Sequence, residues 1–207
     1  GNVQLTTQAS RALLERGIPV TYLSAGGWFA GRLVGSDTKN IDLRIAQFRQ
    51  ADDEAICLKL ARSFVVAKIR NSRTMLRRNG VGVEPVVLRQ LKFLTRKAGN
   101  AETRESLLGL EGAAAREYFR SFSSMLKGDA LGTFDFDRRN RRPPRDPVNA
   151  LLSFAYALLT KELVLALSAV GLEPLLGFYH QPRFGRPALA LDVMGEFRPL
   201  IADSVVV

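Results

Sequence analysis

From Ile41 to about Arg78 the chain contains no glycine and no proline, and apolar residues return every three or four positions. A run of that length and period has a helical solution, because a strand needs alternation and a loop needs breakers. The rest of the chain must be laid around helices. Asn79-Gly-Val-Gly82 punctuates the run, after which a basic helix is expected near Val86 to Ala98 and another from Asn100 to about Leu126. A loop should span Gly128 to Pro147. Val148 to about Val170 reads as the most apolar helix and as a core element, with Leu151, Leu152, Ala155, Leu158 and Leu159 on one face. Leu189 to Ile201 should form the last helix. Only the start differs in character. Thr7 to Arg16 has helical spacing, whereas Val20 to Ser24 and Trp28 to Val34 are β-branched or aromatic runs joined through Gly26-Gly27, a hairpin pattern. The expected fold class is α+β, with a small β-rich part over residues 1–38 and a larger all-helical domain over 39–207. No internal repeat or low-complexity tract is visible.

Charge narrows the partner. Thirty Lys and Arg stand against twenty Asp and Glu, a net charge of +10, and such an excess favours approach to polyanions through counterion release. Nucleic acid is the expected substrate. No run of consecutive apolar residues approaches the roughly 20 that a spanning helix needs, and no signal-peptide pattern opens the chain. A soluble cytoplasmic protein with no membrane partner is therefore expected. Cys57 is the single cysteine; it excludes an internal disulfide and reads as a buried structural thiol in a helix interior. The opening on Gly1 and the closing Val205-Val-Val207 suggest a piece of a longer protein.

Three places carry candidate chemistry. His180, the only histidine, lies in the turn-like Gly177-Phe-Tyr-His-Gln-Pro182, ahead of Asp192 and Glu196. Those two acids are four apart and so share one side of a helix. They could simply be neutralised by Arg183 and Arg198. With the imidazole they could instead form a mixed nitrogen and oxygen site for Mn²⁺ or, with retained waters, Mg²⁺. Glu111 stands in Gly109-Leu-Glu-Gly-Ala-Ala-Ala115. Its place near a helix start is open to a macrodipole explanation, but the small residues after it suggest close helix packing that would bury it and demand a positive partner. Third, Arg138, Arg139, Arg141, Arg142 and Arg145 crowd a proline-containing loop, a plausible phosphate track or merely solvated charge.

Taken in order, several strings resemble one family, the CRISPR-associated integrases that insert spacers during adaptation. They are Gly1-Asn-Val-Gln-Leu-Thr6, Gly17-Ile-Pro-Val20, Ala67-Lys-Ile-Arg-Asn71, Leu110-Glu-Gly112 through Phe119, Pro143-Pro-Arg-Asp-Pro-Val-Asn149 through Tyr156, Gly177-Phe-Tyr-His180, and Leu191-Asp192 through Pro199. Each string is weak evidence; their common order over nearly the whole chain is specific.

The resemblance implies a β-rich N-terminal domain, here truncated, and a helical catalytic domain that stops short of the family's usual end. It implies Glu111, His180 and Asp192 as catalytic residues, and Glu111, His180, Asp192 and Glu196 as the set from which Mg²⁺ or Mn²⁺ is held. Family members usually carry an acid three residues after Asp192, where this chain has Gly195. Either Asp192 or Glu196 would take that role. The implied reaction is attack of a prespacer DNA 3′-hydroxyl on a phosphodiester of the CRISPR repeat. Lys68, Arg70, Arg73, Arg77, Arg78 and the Arg138–Arg145 loop become candidate DNA-backbone contacts, and Asn149 and Tyr156 support the site, Asn149 as a helix cap or by direct contact. Implied partners are double-stranded DNA, a second copy of the chain, a dimer of CRISPR-associated protein two, and a fused or bound Cas-four-type nuclease. A catalytically inactive DNA-binding scaffold of the same fold is the alternative that Gly195 raises.

Overall fold

The structure is a computed structural model, and it describes residues 3–25, 29–35, 40–127, 136–140 and 143–207. Helix α1 (Thr7–Glu15) begins at Thr6, whose hydroxyl accepts from the Ala9 N–H. Strands β1 (Val20–Leu23) and β2 (Phe29–Leu33) pair antiparallel with a register shift between Tyr22 and Leu23. This is the expected helix and hairpin. The expected boundary near residue 38 and the arginines at 141 and 142 lie outside the described residues.

The glycine-free run forms two helices, α2 (Ile41–Ala51) and α3 (Glu54–Asn79). Local capping makes the break. The Asp53 carboxylate accepts from the N–H groups of Ala55 and Ile56 at 2.8 and 3.1 Å, starting a new helix that the apolar spacing alone does not announce. Ala61, Val65, Ile69, Ser72, Met75 and Leu76 form the buried stripe of α3. Around it pack α4 (Pro85–Gly99), α5 (Arg104–Arg120), α7 (Ala188–Phe197) and a π-helical turn over Arg198–Asp203. A one-turn α8 (Ser204–Val206) follows.

Helix α5 starts four residues later than its apolar pattern suggests, because Thr103 caps it through the Ser106 N–H while Asn100 ends α4. It gives way to a 3₁₀ turn at Phe122–Met125. Phe122 and Phe119 close on Phe136 at 5.1 and 6.4 Å between centroids.

Helix α6 (Pro147–Val170) has the expected length but a different buried face. Its inward residues are Val148, Asn149, Leu152, Tyr156, Leu159 and Leu167, whereas Leu151 and Leu158 are 46 % and 41 % exposed. With apolar residues on nearly every side, periodicity does not choose between faces; the polar anchors Asn149 and Tyr156 do. By length and composition this helix is apolar enough to cross a membrane. Here its inner face packs on α7 and the π-helical turn.

A smaller cluster of Cys57, Leu167, Phe178, Leu189 and Ala190 ties the start of α3 to the segment between α6 and α7. Cys57 is buried, as expected, and burial pushes its thiol pKa up.

Candidate active site

The segment from Gly171 to Pro187 packs against the start of α3 through the Cys57 cluster and has little regular structure of its own. Its conformation is imposed from outside. Gly171 ends α6 at φ +94°, a left-handed cap that glycine adopts without strain. The buried Gln47 amide then donates to the carbonyls of Glu173 and Leu176 at 3.0 and 2.9 Å, and accepts from the Glu173 N–H at 2.7 Å. Arg104 donates to the Phe178 carbonyl at 3.1 Å. Neither Gln47 nor Arg104 stands out in the sequence.

Asp192 holds the next three residues. One carboxylate oxygen accepts from the N–H groups of Phe178 and Tyr179 at 2.7 and 2.9 Å. The other accepts from the His180 N–H at 2.8 Å and contacts His180 Nδ1 at 2.7 Å. The carboxylate is thus enclosed by four donors and is 2 % exposed. An oxygen pair already filled by three backbone donors is an acceptor toward the ring too, so Nδ1 carries the proton and the free lone pair is on Nε2, in a ring that lines the crevice described below. The approach requires a glycine at 177, where a Cβ would lie 2.8 Å from the Ala188 backbone and 2.9 Å from Asp192 Oδ2.

Opposite His180, Glu111 projects from the middle of α5, two turns beyond its start. The macrodipole reading does not apply at that depth. Lys68 of α3 pairs with Glu111 Oε1, and the Tyr179 hydroxyl donates to Oε2 at 2.6 Å. Burial raises the Glu111 pKa, but the Lys68 charge and hydrogen bond, the Tyr179 hydrogen bond and His180 outweigh it, so the carboxyl is held below its usual range. Burial and the Glu111 carboxylate push the Tyr179 hydroxyl up, which keeps it a donor. The expected close helix contact at Gly112 is absent: a Cβ there would meet nothing within 4 Å, and Gly112 lines an open groove.

Glu111, His180 and Asp192 therefore come together, while Glu196 does not. A crevice of about 30 Å³, roughly the share of one liquid water, is lined by Lys68, Glu111, Tyr179, His180, Asp192, Gly195 and Arg198, without Glu196. Four residues after Asp192 is close to one turn, but it is Gly195 that faces the crevice, its missing Cβ 3.6 Å from Lys68 Cδ. Asp192 is also unsuited to direct ligation, because its lone pairs are spent inward. Among the described residues no group of three His, Cys, Asp or Glu side chains is placed to hold a metal ion. Two candidate ligand side chains line the crevice, Glu111 and His180. That set fits Mg²⁺ or Mn²⁺ in the mode where one carboxylate is supplemented by water and substrate phosphate oxygens.

The remaining candidates separate into two groups. Arg70, Arg77, Arg78, Arg138 and Arg145 are exposed. Arg73 is half-buried and donates through Nε to the Leu88 carbonyl at 3.0 Å. Lys68 lines the crevice, paired with Glu111. Arg139 is likewise half-buried: its guanidinium donates to Asn149 Oδ1 at 2.7 Å and to Ser153 Oγ at 3.0 Å, and lies 5.3 Å from the Tyr156 ring centroid. Asn149 is fully buried but is not the cap; Asp146 is, accepting from the Asn149 N–H at 2.8 Å. Asn149 instead binds the Arg138 carbonyl and the Asn140 N–H, joining the preceding loop to α6. Arg198, which lines the crevice, also lies over the Tyr156 ring, at 4.8 Å. The Tyr156 and Tyr118 hydroxyls donate to the two oxygens of buried Asp203 at 2.6 and 2.8 Å. Tyr156 is thus linked to the crevice through Arg198.

A family model described as CRISPR associated protein Cas1 matches residues 1–207. The chain belongs to the Cas1 family. It is 57 % identical over its whole length to a CRISPR-associated exonuclease Cas4/endonuclease Cas1 fusion from Geobacter sulfurreducens, of which it spans 38 %. Among solved structures, the Cas1 chain here resembles a casposase bound to integration product (TM-score 0.79, 25 % identity, covering 98 % of this chain and 56 % of that one). It also resembles a chain of a partial Cas6-RT-Cas1–Cas2 complex (TM-score 0.75, 33 % identity, covering 97 % and 60 %). The mostly helical body beside one antiparallel strand pair among the described residues is consistent with the Cas1 fold.

Proposed function

We propose that this Cas1 chain is the catalytic part of a divalent-metal-dependent DNA endonuclease and integrase, which joins a prespacer 3′-hydroxyl to a CRISPR repeat by transesterification. The observation that carries the reading is the meeting of Glu111 with His180, whose free lone pair is on Nε2, in a groove that also holds Lys68, Arg183, Arg186 and Arg198. Two metal-competent donors in a cationic groove suit a phosphodiester at the moment its oxygens gain charge. The likeness to a casposase bound to integration product supports the same reaction class.

Glu111 and His180 would hold the cation, which when bound supplies Lewis-acid stabilisation of the phosphoryl oxygens and acidifies the attacking hydroxyl. Asp192 keeps the His180 ring in one orientation and tautomer through Nδ1. Lys68 keeps Glu111 ionised. Arg198, backed by Tyr156, faces the crevice as a phosphate contact. In the reaction the 3′-oxygen loses its proton and bonds to phosphorus as the repeat's P–O3′ bond breaks; the leaving 3′-oxygen then takes a proton. Double-stranded DNA, a second Cas1 copy, a CRISPR-associated protein two dimer and a Cas4-type nuclease are the proposed partners. The Cas1–Cas2 and Cas4/Cas1 relatives support the last two.

The test is strand transfer of a labelled 3′-hydroxyl duplex into a repeat-bearing plasmid with Mn²⁺ and the small partner. Product that is lost in His180→Ala supports the integrase. Gly195 favours one competing reading, a DNA-binding scaffold of the same fold. Wild-type protein that binds DNA but joins no strands with any divalent ion would establish that reading instead.

A further inference from the structure

One turn on the rim of this groove carries an aromatic ring that has no part in the chemistry above. Arg183-Phe184-Gly185-Arg186 forms a tight turn, closed by the Arg186 N–H donating to the Arg183 carbonyl at 2.9 Å, with Gly185 at φ +67°. A positive φ at the third position is what a type II turn needs. Pro182 and Pro187 flank it and restrict the backbone on both sides. At the tip, Phe184 is 108 % exposed, the most exposed of the large apolar side chains described. It nevertheless lines the same groove as Glu111 and His180, an opening of about 940 Å³.

A ring held in water by a stiff turn is organised for something that arrives from outside. The flanking charges say what. Arg183 and Arg186 bracket the ring, and Lys68 and Arg198 line the groove behind it. An aromatic face between guanidinium groups matches the chemistry of single-stranded nucleic acid, in which bases stack and phosphates pair with the neighbouring cations. An apolar protein surface would gain from the ring but would have to desolvate two arginines.

We infer that Phe184 is a stacking finger: it packs against an unpaired base of the DNA strand whose phosphate lies at Glu111 and His180, while Arg183 and Arg186 hold the adjacent phosphates. The inference rests on the DNA-integrase reading and adds the side chain that holds an unpaired base at the reacting position.

The test is fluorescence anisotropy with the protein and two labelled DNAs, a blunt duplex and the same duplex with a short 3′ overhang, across a salt series. Phe184→Ala should weaken overhang binding about 5- to 150-fold, the range that loss of one base–aromatic stack produces. It should leave the salt slope unchanged and weaken blunt-duplex binding far less, and Phe184→Trp should restore affinity. Arg183→Ala with Arg186→Ala should instead lower the salt slope by about one per phosphate contact. Wild-type DNA binding with equal affinity in Phe184→Ala would overturn the finger and leave the integrase reading standing. So would a Phe184→Ala shift in oligomeric state with unaltered DNA affinity, since the ring would then serve a protein interface. Absence of DNA binding by the wild type would overturn both.

Discussion

Asp192→Asn is the substitution that best separates a residue that builds the site from one that works in it. The exchange preserves volume but replaces one acceptor oxygen with an NH₂ donor. Placed on the Oδ2 side, that NH₂ faces the N–H groups of Phe178 and Tyr179; placed on the Oδ1 side, it faces the N–H of His180 and Nδ1. The imidazole can change tautomer to accept, but the backbone N–H cannot. At least one buried donor is left without an acceptor, at about 1–3 kcal/mol. The surviving bonds also lose the strengthening of a charged acceptor. Together these give a destabilisation of about 2–5 kcal/mol. His180→Ala removes only one partly exposed ring contact and should cost no more than about 1.5 kcal/mol. Urea unfolding followed by far-ultraviolet circular dichroism measures both. Asp192→Asn unfolding within about 0.5 kcal/mol of wild type, with strand joining lost, would refute the reasoning and return Asp192 to the role of direct ligand.

Lys68→Met should let burial prevail at Glu111 and raise its pKa. The wild-type carboxyl, held low, contributes stability that is present above the unfolded-state pKa and lost as pH falls through the folded one. The variant should therefore lose that contribution at higher pH, and the acid limb of strand joining should move up, as a pH–rate profile and acid unfolding would show. Gly195→Glu places a third acid on the crevice face where the neighbouring contact is an ordinary 3.6 Å. Isothermal titration should show Mn²⁺ binding tightened by about tenfold or more relative to Gly195→Ala, whether or not activity rises. Tyr156→Phe leaves one oxygen of buried Asp203 short of its 2.6 Å donor and should lower stability by about 1–3 kcal/mol by chemical denaturation. Gly177→Ala drives a methyl into the Ala188 backbone and should cost at least that much by the same measurement.

The helices were legible in the sequence because their information is local. Period, breakers and capping residues act over a few positions, so α3, α4, α6 and the N-terminal hairpin lie close to where the pattern puts them. The failures fall where local signals are ambiguous. α6 is apolar on most of its circumference, and only the partners of Asn149 and Tyr156 decide which side turns inward. Gly112 looks like a packing contact but borders open space. The α2–α3 break rests on two hydrogen bonds to Asp53 within an otherwise continuous pattern.

For the site, residue types and their family order pointed to Glu111, His180 and Asp192, but no spacing could assign their work. His180 and Asp192 meet because Gln47, Arg104 and Gly177 hold the connecting segment against α3 and α7, contacts between positions far apart in the chain. Lys68 is one basic residue among many until α3 packs on α5 and brings its ammonium to a buried carboxylate. The sequence by itself determined the helical character, the basic surface and the family. The tertiary structure alone decided which charges face each other. Pairing depends on the distance and burial that packing creates, and both are properties of residues brought together from separate helices.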